Sequence, residues 1–169
     1  MTIEIRPITL ADIPIVEQLA YDYNYELDPQ ATTQEAVVRW ITAVAQEALV
    51  GRNFFWLACA DEQIVGFVSF QMRANPFTQQ THGFIEDLYI ASPFRRRGYA
   101  EKLAHAAFAE ISSHGTCEIQ LEVLANNQQA LAFWQKLGLG IRHHVLAMPV
   151  QANLEDSDAP PNAKEMTYE

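Results

Sequence analysis

The chain of 169 residues is poor in cysteine, poor in cations and without a long apolar run. Its two cysteines, Cys59 and Cys117, sit in apolar stretches that read as strands, and no His or Asp is spaced beside them as a metal ligand. Buried, reduced thiols and no metal are the expectation. No apolar stretch approaches the ~18 residues that a membrane span needs, and Met1 leads into a strand-like segment where a signal would be basic and then apolar. A cytoplasmic protein that does not engage membranes is expected. Lys and Arg number 11 against 21 Asp and Glu, a formal charge of −10. A surface this acidic repels nucleic-acid phosphates and favours cationic partners.

What is present is enough for one domain with a substantial core, since 49% of the residues are hydrophobic. Residues 2–6 alternate like a strand that Pro7 ends. Thr9 with Asp12 resembles a helix-capping box, and Ile13, Val16, Leu19 and Ala20 follow at helical spacing. Thr32 with Glu35 offers a second cap, ahead of an apolar stripe through Val37, Trp40, Ile41, Val44 and Ala48. Residues 54–60 and 64–72, split by Asp61, Glu62 and Gln63, read as a hairpin. Residues 73–81 read as a loop and 84–91 as a strand, with Pro93 in the turn beyond. Residues 98–114 carry Leu103, Ala104, Ala107, Phe108 and Ile111 on one helical face; 116–124 return to strand, 127–137 to helix and 139–150 to strand.

The order is strand, two helices, three strands, helix, strand, helix, strand. A sheet of mixed direction covered by helices satisfies it, an α/β (α+β) fold. Residues 1–150 form the expected domain. Residues 151–169 form an acidic tail, with Glu155, Asp156, Asp158, Glu165 and Glu169 against Lys164 and with Pro160 beside Pro161.

Between a strand and a helix, the run Ser92, Pro93, Phe94, Arg95, Arg96, Arg97, Gly98, Tyr99, Ala100 places three cations and a glycine in one turn. Amides at a helix N-terminus lack intrahelical partners, and the helix dipole adds positive charge where they point. Gly98 lets backbone approach an anion closely. Local chemistry alone admits a phosphate site or a solvated basic turn. Nucleic-acid binding needs a longer basic face than this acidic chain offers.

The spacing Arg95, two residues, Gly98, one residue, Ala100 resembles the phosphate-loop motif of the GNAT superfamily of N-acetyltransferases. The preceding Phe84, Ile85, Glu86, Asp87, Leu88, Tyr89, Ile90 resemble that family's fourth strand. Asn127, Ala130, Phe133, Trp134, Lys136, Leu137 and Gly138 resemble its next conserved helix. The element order agrees from about residue 2 to residue 148. The resemblance implies a GNAT-like central mixed sheet, mostly antiparallel, with splayed fourth and fifth strands and about four flanking helices. It also implies acetyl-CoA as the acyl-donor cosubstrate, with the pantetheine arm lying in the splay. Backbone groups of Leu88, Tyr89 and Ile90 would then pair with the pantetheine amides, and amides of Arg95, Arg96, Arg97, Gly98, Tyr99 and Ala100 would hold the pyrophosphate. Asn127 would bond the arm from the facing helix.

Acetylation of an amine needs an unprotonated nucleophile, yet an alkylamine with a pKa near ~10.4 is protonated at neutral pH. Glu86 is the expected general base, its acidic pair resembling the small-amine branch of the family. Asp87 projects to the opposite face if the strand is regular, and a bulge would exchange the two roles. Many relatives carry Tyr where this chain has Trp134, and an indole cannot deliver a proton to the departing thiolate. Trp134 is left to pack against the thioester or to donate its N–H toward sulfur; Tyr89 and Tyr99 are alternative proton sources. Around residues 21–28, Tyr23, Tyr25 and Glu26 suit a cationic amine at the junction of the first two helices. His82, His143 and His144 read as structural. The leading expectation is an N-acetyltransferase acting on a primary amine of a small molecule, peptide or protein. The rivals are a non-catalytic acyl-CoA-binding regulatory domain and an acidic interaction protein. A single copy and a homodimer both remain open.

Overall fold

A computed structural model describes residues 3–142 of the chain. Strand β1 (Ile3–Pro7) leads through a short 3-10 turn into α1 (Ile13–Leu27) and α2 (Gln34–Leu49). The hairpin β2 (Phe54–Ala60) and β3 (Gln63–Ala74) follows, then β4 (Thr81–Ile90), α3 (Tyr99–Ser113), the short β5 (Ile119–Leu121) and α4 (Gln128–Lys136). The five strands lie in sequence order, antiparallel except for the parallel β4 and β5. This is the expected mixed, mostly antiparallel sheet with four helices.

Both faces of the sheet are covered, which is why β2 and β3 read as nearly continuous apolar runs. Phe55, Leu57 and Cys59 of β2 pack with Phe67 of β3 beneath α1 and α2. Ala58, Ala60, Val65, Val68 and Phe70 pack on the other face with Leu103, Ala107 and Ile111 of α3 and Trp134 of α4. The hairpin turns at Asp61 and Glu62 with φ of 47° and 68°. Two successive left-handed residues match the right-handed twist of the flanking strands. The turn therefore needs only two residues, and Gln63 already belongs to β3.

Four elements depart from expectation. Helix α1 runs through Tyr21, Tyr23 and Tyr25 to Leu27, where the sequence suggested a junction between helices. Polar pairs one turn apart carry it: Gln18 Nε2 donates to Asp22 at 2.9 Å and Asn24 Nδ2 to the Ala20 carbonyl at 2.7 Å. Thr33, not Thr32, caps α2, its Oγ1 accepting from Ala36 N at 3.2 Å, while Thr32 donates to the Asp28 carbonyl. Strand β5 has three residues where nine were expected, because it leaves β4 after Leu121. Of the expected last strand, residues 143–150 lie outside the described residues, and 139–142 form no strand. The acidic tail also lies outside them.

The Thr9–Asp12 signal proves to be part of a larger corner. The Asp12 carboxylate accepts from Thr9 N at 2.8 Å and Thr9 Oγ1 at 2.7 Å, and takes both arms of the Arg6 guanidinium at 2.7 Å. Asp12 is 7% exposed. The Arg6 bond, more than any other influence, holds its carboxyl well below the usual carboxylate range. A carboxyl lowered in the folded state stabilises the fold above its unfolded pKa of ~3.9, and that contribution disappears as pH falls. Asp12→Asn is expected to cost about 2 kcal/mol at pH 7 and to flatten the loss of stability below about pH 4, measured by urea unfolding across pH.

Candidate active site

Strand β4 is irregular at the position the sequence marked. Ser69 of β3 opposes Asp87 and Phe70 opposes Ile85, so Glu86 is an extra residue without a partner in the ladder. This bulge resets the alternation, but it does not exchange the two carboxylates as a bulge was expected to, because both Glu86 and Asp87 line the cleft described below. Ile85, Leu88 and Ile90 all pack toward α3 and α4, while Tyr89 packs toward α1 and α2 and Asp87 bonds to α1. On its other edge, β4 pairs with β5 only through Gly83, Phe84 and Ile85. Beyond Ile85 the two strands separate around a cleft of about 250 Å³. Its floor is Ile85 to Leu88. One wall is Leu121 to Leu124 with Asn127, Ala130 and Trp134, and the other is Tyr23 and Leu27.

The two adjacent carboxylates have different surroundings. Glu86 is exposed, bonded to Gln71 and paired with Arg73 Nη2 at 3.0 Å. Asp87 is partly buried: Tyr23 donates to its Oδ1 at 2.8 Å and Ser69 to its Oδ2 at 2.6 Å. Burial raises the Asp87 carboxyl above its ordinary range, against the opposing pull of these two donors. Burial, then the Asp87 charge, pushes the Tyr23 phenol upward as well. Asp87, Tyr23 and Ser69 therefore form a hydrogen-bonded group that sequence reading did not assemble. Asp87 and Tyr23 were each marked in the sequence, but Ser69, a lone hydroxyl in the apolar run of β3 that is 1% exposed in the fold, was not.

The basic turn lies at the end of β4. Arg96 and Gly98 have φ of 60° and 78°, which curls the backbone ahead of α3. The amides that open α3 precede its first ladder bond, Lys102 N to the Gly98 carbonyl at 3.1 Å. Arg96 and Arg97 are exposed, Arg97 donating to the Pro93 carbonyl at 3.1 Å. Arg95 is engaged with the fold: Nε donates to the Ile90 carbonyl at 2.7 Å and Nη2 grips both Glu26 oxygens at 2.8 and 2.7 Å. Tyr89 donates to the same carboxylate at 3.0 Å, and burial lifts its phenol to about 12. Glu26 thus ties the end of α1 to the basic turn.

Of the residues singled out in the sequence, the cleft gathers Glu86, Leu88, Asn127, Trp134 and Tyr23. Tyr89 and Ile90 continue the same strand. Ala100 packs against the core below the turn, where Tyr99 is buried among the α3 contacts. Tyr25 stacks on Tyr21 with ring centroids 6.0 Å apart and is 50% exposed, outside the cleft lining. Asn127 Oδ1 caps α4 by accepting from Ala130 N at 3.0 Å, so its NH2 is what it can offer a ligand. Trp134 is 8% exposed, its ring edge-on to Phe133 with centroids 4.9 Å apart.

A mixed sheet opened along one edge, with a basic glycine turn at the end of the opening, is an architecture for an extended ligand with an anionic end. The model of the Acetyltransferase (GNAT) family matches residues 14–139, and the chain belongs to that family. N-alpha-acetyltransferase 30 of Schizosaccharomyces pombe is 29% identical over 86 residues, 51% of this chain and 57% of that protein. L-ornithine N5-acetyltransferase NATA1 of Arabidopsis thaliana is 27% identical over 78 residues, 46% of this chain and 34% of that protein. The matched stretches thus span less than two thirds of these curated relatives. An aminoglycoside N-acetyltransferase, AAC(6')-Iy, solved in complex with CoA, superposes with a TM-score of 0.72 at 19% identity, covering 89% of this chain and 95% of that one. Among the described residues no His, Cys, Asp and Glu cluster suits a metal ion, and no helix is long and apolar enough to cross a membrane.

The Glu26–Arg95 pair is more than a third exposed on both sides, so solvent screens it. A double-mutant cycle of Glu26→Gln and Arg95→Gln, read by chemical denaturation, is expected to return a coupling of about 0.5–1 kcal/mol.

Proposed function

We propose that the protein transfers an acetyl group from acetyl-CoA to the primary amine of a small cationic molecule or of a peptide or protein, by direct attack on the thioester in the β4–β5 cleft. The observation that carries this reading is the cleft itself, which sets an unpaired stretch of β4 edge, three carboxylates and the Asn127 amide around one opening. The edge from Leu88 to Ile90 supplies backbone groups for the pantetheine amides, as a further strand would use them. The turn from Arg95 to Ala100 supplies amides for the pyrophosphate, with Arg96 and Arg97 exposed beside it for charge-assisted contacts. Trp134 packs as the apolar wall against the acyl end.

Glu86 acts as the base that prepares the nucleophile. Its bulge position frees the side chain from the ladder, and its bonds to Gln71 and Arg73 hold the carboxylate at the cleft. The acceptor's positive charge follows from the lining, where Glu86, Asp87 and Glu122 are all carboxylates. The amine-acetylating relatives agree with an amine acceptor of this kind.

The test is release of free thiol from acetyl-CoA with a panel comprising L-ornithine, 1,4-diaminobutane, kanamycin and a peptide with an unblocked N-terminus. At least one amine is expected to stimulate release, and none doing so would overturn the reading. Glu86→Gln should lower kcat/KM at least tenfold while thermal stabilisation by acetyl-CoA persists. Gly98→Val places a β-branched residue at a φ of 78° in the turn. It is expected to weaken acetyl-CoA binding tenfold or more, about 1.4 kcal/mol less stabilisation at a fixed saturating concentration.

A further inference from the structure

Acetylation of an ammonium ion moves two protons off nitrogen and one onto sulfur. The first must leave before nitrogen can attack. The second leaves after the C–N bond forms, and the thiolate expelled as the C–S bond breaks gains one, so a single proton is released to solvent. Glu86, exposed and at the cleft, suits the first transfer. The second begins and ends inside the cleft. Trp134, on the α4 wall, offers only an N–H that does not leave at neutral pH. Tyr89 is committed to Glu26, and Tyr99 is buried among the α3 contacts, so neither lines the cleft.

Resting on the acetyltransferase reading, we propose that Asp87 and Tyr23 form a relay that carries the second proton from the acylated nitrogen to the departing sulfur. Both residues line the cleft, and their side chains are joined by a 2.8 Å hydrogen bond from the Tyr23 hydroxyl to Asp87 Oδ1. Asp87 takes the proton from nitrogen; the Tyr23 hydroxyl then turns from Oδ1 toward sulfur and gives its proton to the thiolate, while Asp87 returns the nitrogen's proton to the Tyr23 oxygen. Both groups return to their starting protonation states, and no co-reactant is consumed. Ser69 donates to the other carboxylate oxygen at 2.6 Å and so orients the carboxylate with Oδ1 toward Tyr23. Burial favours this use of Asp87: it makes the carboxylate a better proton acceptor than an exposed one. Tyr23 is also firmly placed, its ring lying 5.7 Å from Phe67 and 5.6 Å from Tyr89, centroid to centroid.

The experiment compares wild type with Tyr23→Phe, which removes one oxygen and keeps the ring contacts, using the best amine of the panel and two acyl donors. Acetyl-CoA has an alkyl thiol leaving group that needs a proton; the acetyl thioester of 4-nitrothiophenol has a leaving group stable as the thiolate. The expected result is a loss of at least tenfold in kcat with acetyl-CoA, with its KM unchanged, and less than threefold in kcat/KM with the aryl thioester. Asp87→Asn should show the same dependence on donor, and the double variant should lose no more than the worse single variant. Thermal stabilisation by acetyl-CoA checks that each variant is folded. Equal losses with both donors, or no loss with acetyl-CoA, would overturn the relay and leave the acetyltransferase reading standing. No turnover of any amine by wild type would overturn both.

Discussion

The extra residue at Glu86 is the constraint on which the site depends. A bulge bends its strand and sharpens the local twist. Here it falls where β4 stops pairing with β5, so the edge that would have continued the ladder is left facing a cleft. The same residue resets the alternation of side chains. Without it, Ile85 would share a face with Asp87 and Tyr89; with it, Ile85 joins Leu88 and Ile90 over α3 and α4. One inserted position therefore opens the cleft and sends two neighbouring carboxylates into different environments.

The cleft is then furnished from elements distant in the chain. Helix α1 contributes Tyr23 to Asp87 and Glu26 to Arg95, and both contacts anchor the same end of that helix to β4 and the turn that follows. The wall that carries Trp134 comes from α4, held over the sheet by contacts with α3. The α1 side of the cleft and the basic turn thus share supports. Glu26 touches both Tyr89 and Arg95, so a shift of the α1 terminus is felt in the basic turn.

Much of this was legible in the residues themselves. Apolar spacing located the four α-helices of the described residues and the hairpin, and the Thr9–Asp12 pair announced the corner that Arg6 completes. The spacing of Arg95, Gly98 and Ala100 between a strand and a helix marked the turn. The aromatic and acidic run from Tyr21 to Asp28 was less readable, since its polar composition suits a junction as well as the last turns of a helix. What held it helical are bonds one turn apart and the anchoring of Tyr23 and Glu26.

The sequence by itself determined the order of elements from β1 to α4 and the presence of an acidic pair ahead of a basic glycine turn, because these rest on local spacing and on side-chain chemistry. Only the tertiary structure decided which carboxylate is exposed and which is bonded to a phenol. That outcome depends on pairing register, which a single bulge shifts by one residue, and on a contact between Tyr23 and Asp87 spanning 64 positions of chain. It also decided that Arg95, readable as an anion ligand, has a carboxylate of its own. A guanidinium takes the partner that folding brings to it, and local spacing carries no record of Glu26, 69 residues away.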